Sequence, residues 1–248
     1  MRSMPALLVV LLWTGCGATG PKPPASEIHV AAAANLTRVF AELDQIFERG
    51  TGIHVVLSLG ATAQLAQQIE NGAPFDVFAA ADVEHIDALA RQDLILADTR
   101  AIYARGRLVL WIPDGRVPVE RIEDLANSAV THVAIAKPEL APYGRAAVEA
   151  LRTLHLWNAI QPKVVFGQNI STTTQYAATH NADAAFTALA LVYDQGGRRI
   201  DVPENLYHPI DQAIAVIRRT SKIEQSRKYV SFVLGAQARR ILDRYGYR

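Results

Sequence analysis

Four short stretches combine small, hydroxyl and amide side chains where an apolar, strand-like run gives way to a helical one. They are residues 31–37 (AAAANLT), 60–65 (GATAQL), 142–146 (PYGRA) and 169–172 (NIST). A helix start leaves its first backbone N–H groups unpaired, and the helix dipole is positive there. Small side chains let an anion come close to that backbone, and hydroxyls and amides add donors. The chemistry this suits is capture of an oxyanion by neutral groups, without a buried lysine or arginine. The candidate residues are Asn35 and Thr62, with Ala34 and Ala61 beside them, then Tyr143 and Ile170. Each junction alone has a plainer reading. Asn35 and Thr62 are common helix-capping types, and a tyrosine after proline at a helix start often only packs. The four junctions together matter because ligands of open α/β sheets sit at the C-terminal ends of strands.

Other site chemistries find little support. The histidines are His29, His54, His85, His132, His155, His180 and His208, and no two lie three or four apart, so no helical zinc pair exists. There is no Gly-x-Ser-x-Gly elbow and no Walker A loop. Gly50 and Gly52 are not followed by the third glycine of a dinucleotide fingerprint. Asp76 and Asp82 could be taken for a carboxylate pair, but a strand end and a helix cap explain them better. The single cysteine, Cys16, excludes an intrachain disulfide and a cysteine-cluster metal site.

The elements that must position the candidates alternate between strand and helix. Strands are expected over 28–33, 53–59, 76–79, 107–112, 133–136, 163–166, 184–187 and 213–217. Leu36, Val39, Phe40, Leu43, Ile46 and Phe47 mark one helical face, ending at Gly50 and Gly52. Further helices are expected after Gly60 up to Asn71-Gly72, over 83–91 behind Asp82, from Pro142 through Leu154, over 171–179, and near 222–234 and 237–245. This is an α/β pattern with mainly parallel sheets, since strands separated by helices cannot form tight hairpins. No linker-like segment divides it, so two lobes would have to be joined by strands crossing between them. No internal sequence repeat is visible.

With 25 Lys+Arg and 24 Asp+Glu in 248 residues, net charge is near zero, which argues against a chain built to coat nucleic acid or an anionic membrane. Half the residues are hydrophobic, ordinary for a globular protein. The apolar run at residues 6–13 behind Arg2 is too short to span a bilayer and reads as a signal segment, residues 1–15. Cys16 directly after it resembles the lipidation site of a bacterial lipoprotein, and 16–26 reads as a lipidated tether rich in Pro, Gly and Ala. The alternative is a plain secretory signal with Cys16 incidental. Beyond this start, no apolar stretch is long enough to span a membrane.

The same junctions resemble the periplasmic molybdate-binding proteins of ABC transporters. The resemblance runs from about Ile28 to the end of the sequence, through AAAANL (31–36), GATAQLAQQIENGAPFDVFAAAD (60–82), AKPELAPYGRAAVEAL (136–151), GQNISTTTQYAATHNADAAFTALALV (167–192) and RRILDRYGYR (239–248). It implies a two-lobe, type II periplasmic-binding-protein fold. Lobe 1 would comprise 27–106 and 214–248, and lobe 2 107–213, with a hinge near 105–108 and 212–215. Oxyanion contacts would fall on Asn35, Thr62, Tyr143, Ile170, Ala34 and Ala61. Asn35 and Thr62 stand where serine is common in the family, and Ala188 where some members have a contacting tyrosine that Tyr143 would replace.

The resemblance further implies no enzyme activity and no cofactor. The ligand would be molybdate or tungstate, delivered to an ABC permease by a monomer held at the membrane only through its lipid, with no nucleic-acid partner. Sulfate, phosphate or an organic anion is the alternative cargo. Phosphate sites usually need acceptors or an arginine, which directs attention to Arg145. A ferric site is disfavoured, because no adjacent tyrosines occur, and a secreted hydrolase lacks its nucleophile and base motifs. The signal segment argues against an intracellular sensor domain.

Overall fold

The computed structural model describes residues 26–113 and 117–248. The expected signal segment, Cys16 and the tether as far as residue 25 lie outside them. Among the described residues, ten strands form two five-stranded sheets. The first sheet contains β1 (Glu27–Ala33), β2 (His54–Gly60), β3 (Val77–Ala79), β4 (Ala101–Gly106) and β10 (Ile210–Val216), in the order β2-β1-β3-β10-β4. The second contains β5 (Leu108–Ile112), β6 (Val133–Ala136), β7 (Val164–Gly167), β8 (Ala184–Ala188) and β9 (Arg198–Asp201), in the order β7-β6-β8-β5-β9.

In each sheet four of the five strands run the same way, as the alternation of strands and helices demands. The reversed strand is β10 in the first sheet and β5 in the second. Each is the strand by which the chain arrives from the other lobe. The two orders are therefore one topology used twice, although no repeat is visible in the sequence. Only Arg107 separates β4 from β5, so the outward crossing is a single residue.

The helices are α1 (Thr37–Thr51), α2 (Thr62–Glu70), α3 (Glu84–Arg91), α4 (Pro142–Thr153), α5 (Trp157–Ile160), α6 (Ile170–Ala178), α7 (Leu189–Val192), α8 (Ile223–Val233) and α9 (Ala236–Arg244). Helix α1 buries Val39, Phe40, Leu43 and Phe47 and stops at Gly52, whose φ of 72° favours glycine. Phe47 meets Tyr229 of α8 edge to face at 5.1 Å. Among the described residues, no helix is long and apolar enough to cross a membrane.

The main departures from expectation are at the sheet margins. Strands β4 and β9 were not anticipated. Both are edge strands, where solvent exposure relaxes the need for apolar residues and admits Arg105 in β4 and Arg198 and Arg199 in β9. The return strand starts at Ile210, not at 213, so residues 210–213 pair with β4 in the first sheet instead of belonging to the second lobe. Asp211 and Gln212 hid this start. Asp211 is satisfied at the surface by Arg105 at 2.6 Å, and Gln212 is fully buried.

Candidate functional site

All six candidate residues line one cavity between the two sheets, with a volume of about 10 Å³. That is far smaller than the pockets that hold drug-sized ligands, about 300 Å³ upward, and close to the room that one water-sized group needs. Ala34 and Asn35 come from the 3-10 turn Ala34–Leu36 that follows β1. Ala61 and Thr62 lie at the start of α2 after β2, Tyr143 at the start of α4 after β6, and Ile170 at the start of α6 after β7. Both lobes thus contribute strand-to-helix junctions to a single space.

The helix starts bear on the capping alternative. The Ala34–Leu36 turn, α2 and α4 have Ala33, Ala61 and Ala141 at their caps, and none carries a side-chain cap bond. Asn35 and Thr62 therefore do not cap. Only at α6 does a side chain do so, where Asn169 accepts from the Thr172 N–H at 2.9 Å. The uncapped first turns keep the positive end of each dipole directed at the cavity.

Thr62 is buried, and its Oγ1 accepts from the Ala81 N–H at 3.2 Å, which leaves the hydroxyl proton for another acceptor. Tyr143 is equally buried, with its hydroxyl accepting from Gln212 Nε2 at 3.0 Å. Its position depends on Gly144. A Cβ there would lie 2.0 Å from the Ala136 carbonyl oxygen, so only glycine lets α4 start this close to β6. Asn35 donates both amide hydrogens, to Gln212 Oε1 and to the Tyr247 hydroxyl, each at 2.9 Å, and its Oδ1 has no partner within the protein.

Gln212, Tyr103 and Tyr247 are the residues that sequence reasoning missed. Tyr103 donates to Gln212 Oε1 at 2.9 Å and Tyr247 to the Asn35 carbonyl at 3.1 Å. The sequence did carry a signal: a lone amide inside the apolar run IDQAIAV is out of place unless it is partnered. The register of β10 on β4 slips between Gln212 and Ala213, leaving Tyr103 as the extra residue, and this bulge puts Tyr103 and Ala104 both inside. Burial pushes the Tyr103, Tyr143 and Tyr247 phenols well above their ordinary range, so they remain neutral donors.

Around the cavity the lobes touch directly. Ser171 Oγ donates to the Ala34 carbonyl at 2.9 Å, and the Ala63 N–H to the Leu140 carbonyl at 3.2 Å. Arg38 forks onto Asp194, which lowers that carboxyl to about 2. Arg145 does not reach the cavity. It bonds Glu84 at 2.8 Å and Asp82 at 3.3 Å, in a larger groove whose carboxylates, including Glu149 and Asp211, would repel an anion. Asp82 also accepts from the His85 N–H at 3.1 Å at the start of α3, and Asp76 takes the His29 N–H at 2.7 Å, so both have structural roles. Ala188 ends β8 fully buried and is not part of the cavity lining. Among the described residues, no group of three or more His, Cys, Asp or Glu side chains is placed to hold a metal ion.

The family model for bacterial extracellular solute-binding proteins matches residues 28–248. The chain is similar to the molybdate-binding protein of Azotobacter vinelandii, with 37% identity over 97% of this chain and 96% of that one. It is also similar to the molybdate-binding protein of Rhodobacter capsulatus, with 34% identity over 90% and 88% of the two chains. Among solved structures, the Azotobacter vinelandii periplasmic molybdate-binding protein superposes with a TM-score of 0.85 at 31% identity, covering 89% of this chain and 98% of that chain. The sulfate-binding protein SubI of Mycobacterium tuberculosis, at 16% identity and a TM-score of 0.78 over 90% of this chain and 86% of that one, shares the fold.

Proposed function

Because the chain belongs to the bacterial extracellular solute-binding proteins, binding proteins and not enzymes, we propose that it captures molybdate in the cavity between its lobes and hands it to an ABC permease. Tungstate, a tetrahedral dianion of nearly the same size, is a second cargo of the same site. The observation that carries this reading is the convergence of uncapped helix starts from both lobes on one small cavity without a charged side chain in its lining.

Removing a dianion from water is costly, and only several well-aimed donors offset that cost. Backbone N–H groups at Ala34, Asn35, Ala61, Thr62 and Ile170, with the Thr62 hydroxyl and a side-chain donor from either Tyr143 or Asn35, supply them. Sulfate is smaller and would leave some donors unpaired, which is the basis of discrimination. Residues 27–106 with the segment from 210 onward act as one lobe and 107–209 as the other, closing about Gly106–Leu108 and the start of β10. Outside the described residues, 1–15 act as a signal and Cys16 as a lipid anchor. A monomer so tethered works on the extracytoplasmic face.

The test is calorimetric titration of the chain from residue 16 onward, carrying Cys16→Ser, with molybdate, tungstate, sulfate and phosphate. The expected result is one-to-one binding of molybdate and tungstate, with sulfate weaker by at least about 100-fold, or 2.7 kcal/mol. Preference for sulfate, phosphate or an organic anion would replace the cargo and keep the fold. No binding of any oxyanion by folded protein would remove the site assignment.

A further inference from the structure

Gln212 is fully buried on the returning strand β10, and its amide lies between one cavity residue from each lobe. On one side its Oε1 accepts from Asn35 Nδ2 and from the Tyr103 hydroxyl, both at 2.9 Å. On the other its Nε2 donates to the Tyr143 hydroxyl at 3.0 Å. No carboxylate or cation makes a side-chain bond to it. The titratable groups of this cluster are Tyr103 on β4, Tyr143 on α4 and Tyr247 after α9, while the neighbouring Asp211 turns outward to Arg105.

We propose that Gln212 is the positioning residue of this site: the direction of its amide decides which hydrogens Asn35 and Tyr143 present to a bound oxyanion. The inference rests on the oxyanion reading above. In the arrangement described, Tyr143 accepts from Gln212 and keeps its own proton for the ligand. Asn35 has spent both amide hydrogens, on Gln212 and Tyr247, and its Oδ1 is left without a partner. Oxygen and nitrogen of an amide are nearly isosteric, so both amides can reverse with their heavy atoms in place. Gln212 then donates to Asn35 Oδ1 and to the Tyr103 oxygen, and Tyr103 still has the Ala80 carbonyl at 3.2 Å for its proton. Tyr143 now donates to Gln212, and Asn35 offers its N–H groups where the orphaned oxygen stood.

The donors of the two lobes are thus coupled through one side chain. When Tyr143 gives its proton to the ligand, Asn35 presents an acceptor; when Asn35 presents its N–H groups, the Tyr143 proton is committed to Gln212. A wholly deprotonated oxyanion favours the second arrangement, because it can satisfy the Asn35 N–H groups and cannot satisfy an orphaned oxygen.

The experiment is molybdate titration of Gln212→Glu and Gln212→Met against wild type at about pH 6 and about pH 8.5, with thermal unfolding of each. A carboxylate at this position only accepts. It takes protons from Asn35, Tyr103 and Tyr143 together and leaves neither cavity residue a hydrogen for the ligand. We expect Gln212→Glu to bind at least about 100-fold more weakly at the higher pH and to recover at least about tenfold at the lower, where the buried carboxyl is protonated. Wild type and Gln212→Met should change less than about threefold between the two pH values.

If Gln212→Glu does not fold, Gln212→Met combined with Tyr143→Phe carries the test. The double variant should lose no more than about threefold beyond the weaker single variant, because the residues act as a unit. Parallel pH profiles for wild type and Gln212→Glu, or fully multiplicative losses in the double variant, would overturn the inference alone. Failure of wild type to bind molybdate, tungstate or sulfate would overturn the oxyanion reading, and this inference with it.

Discussion

Arg38 and Arg145 cross the cleft in opposite directions. Arg38, on α1 beside the first sheet, reaches Asp194 and the Leu191 carbonyl of the second lobe. Arg145, on α4 beside the second sheet, reaches Glu84 and Asp82 of the first. Each lobe therefore supplies one cation and receives one.

Removing either cation should loosen closure without touching the cavity. Exposed pairs of this kind contribute about 0.2–1 kcal/mol, so Arg145→Ala or Arg38→Ala should weaken molybdate binding by about two- to fivefold, mainly through faster release. Stopped-flow release at low and high salt checks this. The difference from wild type should shrink as salt screens both pairs.

Thr62→Val keeps the shape of the side chain and removes its proton. With a charge-assisted bond lost, affinity should fall by about 10- to 100-fold, or roughly 1.5–3 kcal/mol. Thr62→Ser, which restores the hydroxyl, should recover most of it. Calorimetry reads the affinity. The same measurement on Tyr143→Phe should give a loss of the same order, since that hydroxyl is the Gln212 partner that fixes the direction of the amide.

Gly144→Ala is expected to be severe although it adds one methyl. The new Cβ would lie 2.0 Å from the Ala136 carbonyl oxygen, a backbone atom that cannot rotate away. Helix α4 would have to lift from β6, at a cost of about 3 kcal/mol or more, carrying Tyr143 out of the cavity. Thermal unfolding and molybdate affinity should both fall. A substitution confined to stability would lower only the first.

Asp44 sets a pH dependence of stability remote from the cavity. Burial raises its carboxyl to about 7, against the Tyr229 hydroxyl bond at 2.6 Å that favours the charged form, and its Oδ2 has no partner. The folded pKa lies above the unfolded one, so the folded protein binds the extra proton between about pH 4 and 7. This group's contribution is full below pH 4 and is lost as pH rises through 7. Asp44→Asn should remove that slope and stabilise the protein at pH 8 by roughly 2–4 kcal/mol at most. Denaturant unfolding of both proteins across pH 5–8 checks it.

Much of this architecture can be read from residue patterns because its interior strands are apolar and its helices one-sided. The face from Leu36 to Phe47 and the stop at Gly52 correspond closely to α1. Strands β4 and β9 escaped because an edge strand needs no apolar alternation, and Arg105, Arg198 and Arg199 look like loop residues. The junctions that form the cavity could be found because helix starts have a recognisable chemistry. Local preference could not tell capping from lining, since Asn35 and Thr62 suit either. For Gln212 and Tyr247 the difficulty is different: the lone amide inside IDQAIAV signals that a partner is needed, but the partners come from elements distant in sequence, so the network itself cannot be read locally.

The two reversed strands also govern the order in which the lobes can be completed during synthesis. The second sheet is assembled from one uninterrupted run, β5 to β9, so everything it needs emerges together. The first sheet has a gap between β3 and β4 that only β10 can fill. Two strand edges therefore remain open until the whole second lobe has been made, the condition under which nascent chains misassociate. The lobe that begins first finishes last, and a chain cut short before Ile210 would contain a complete second sheet beside a first sheet with its centre missing.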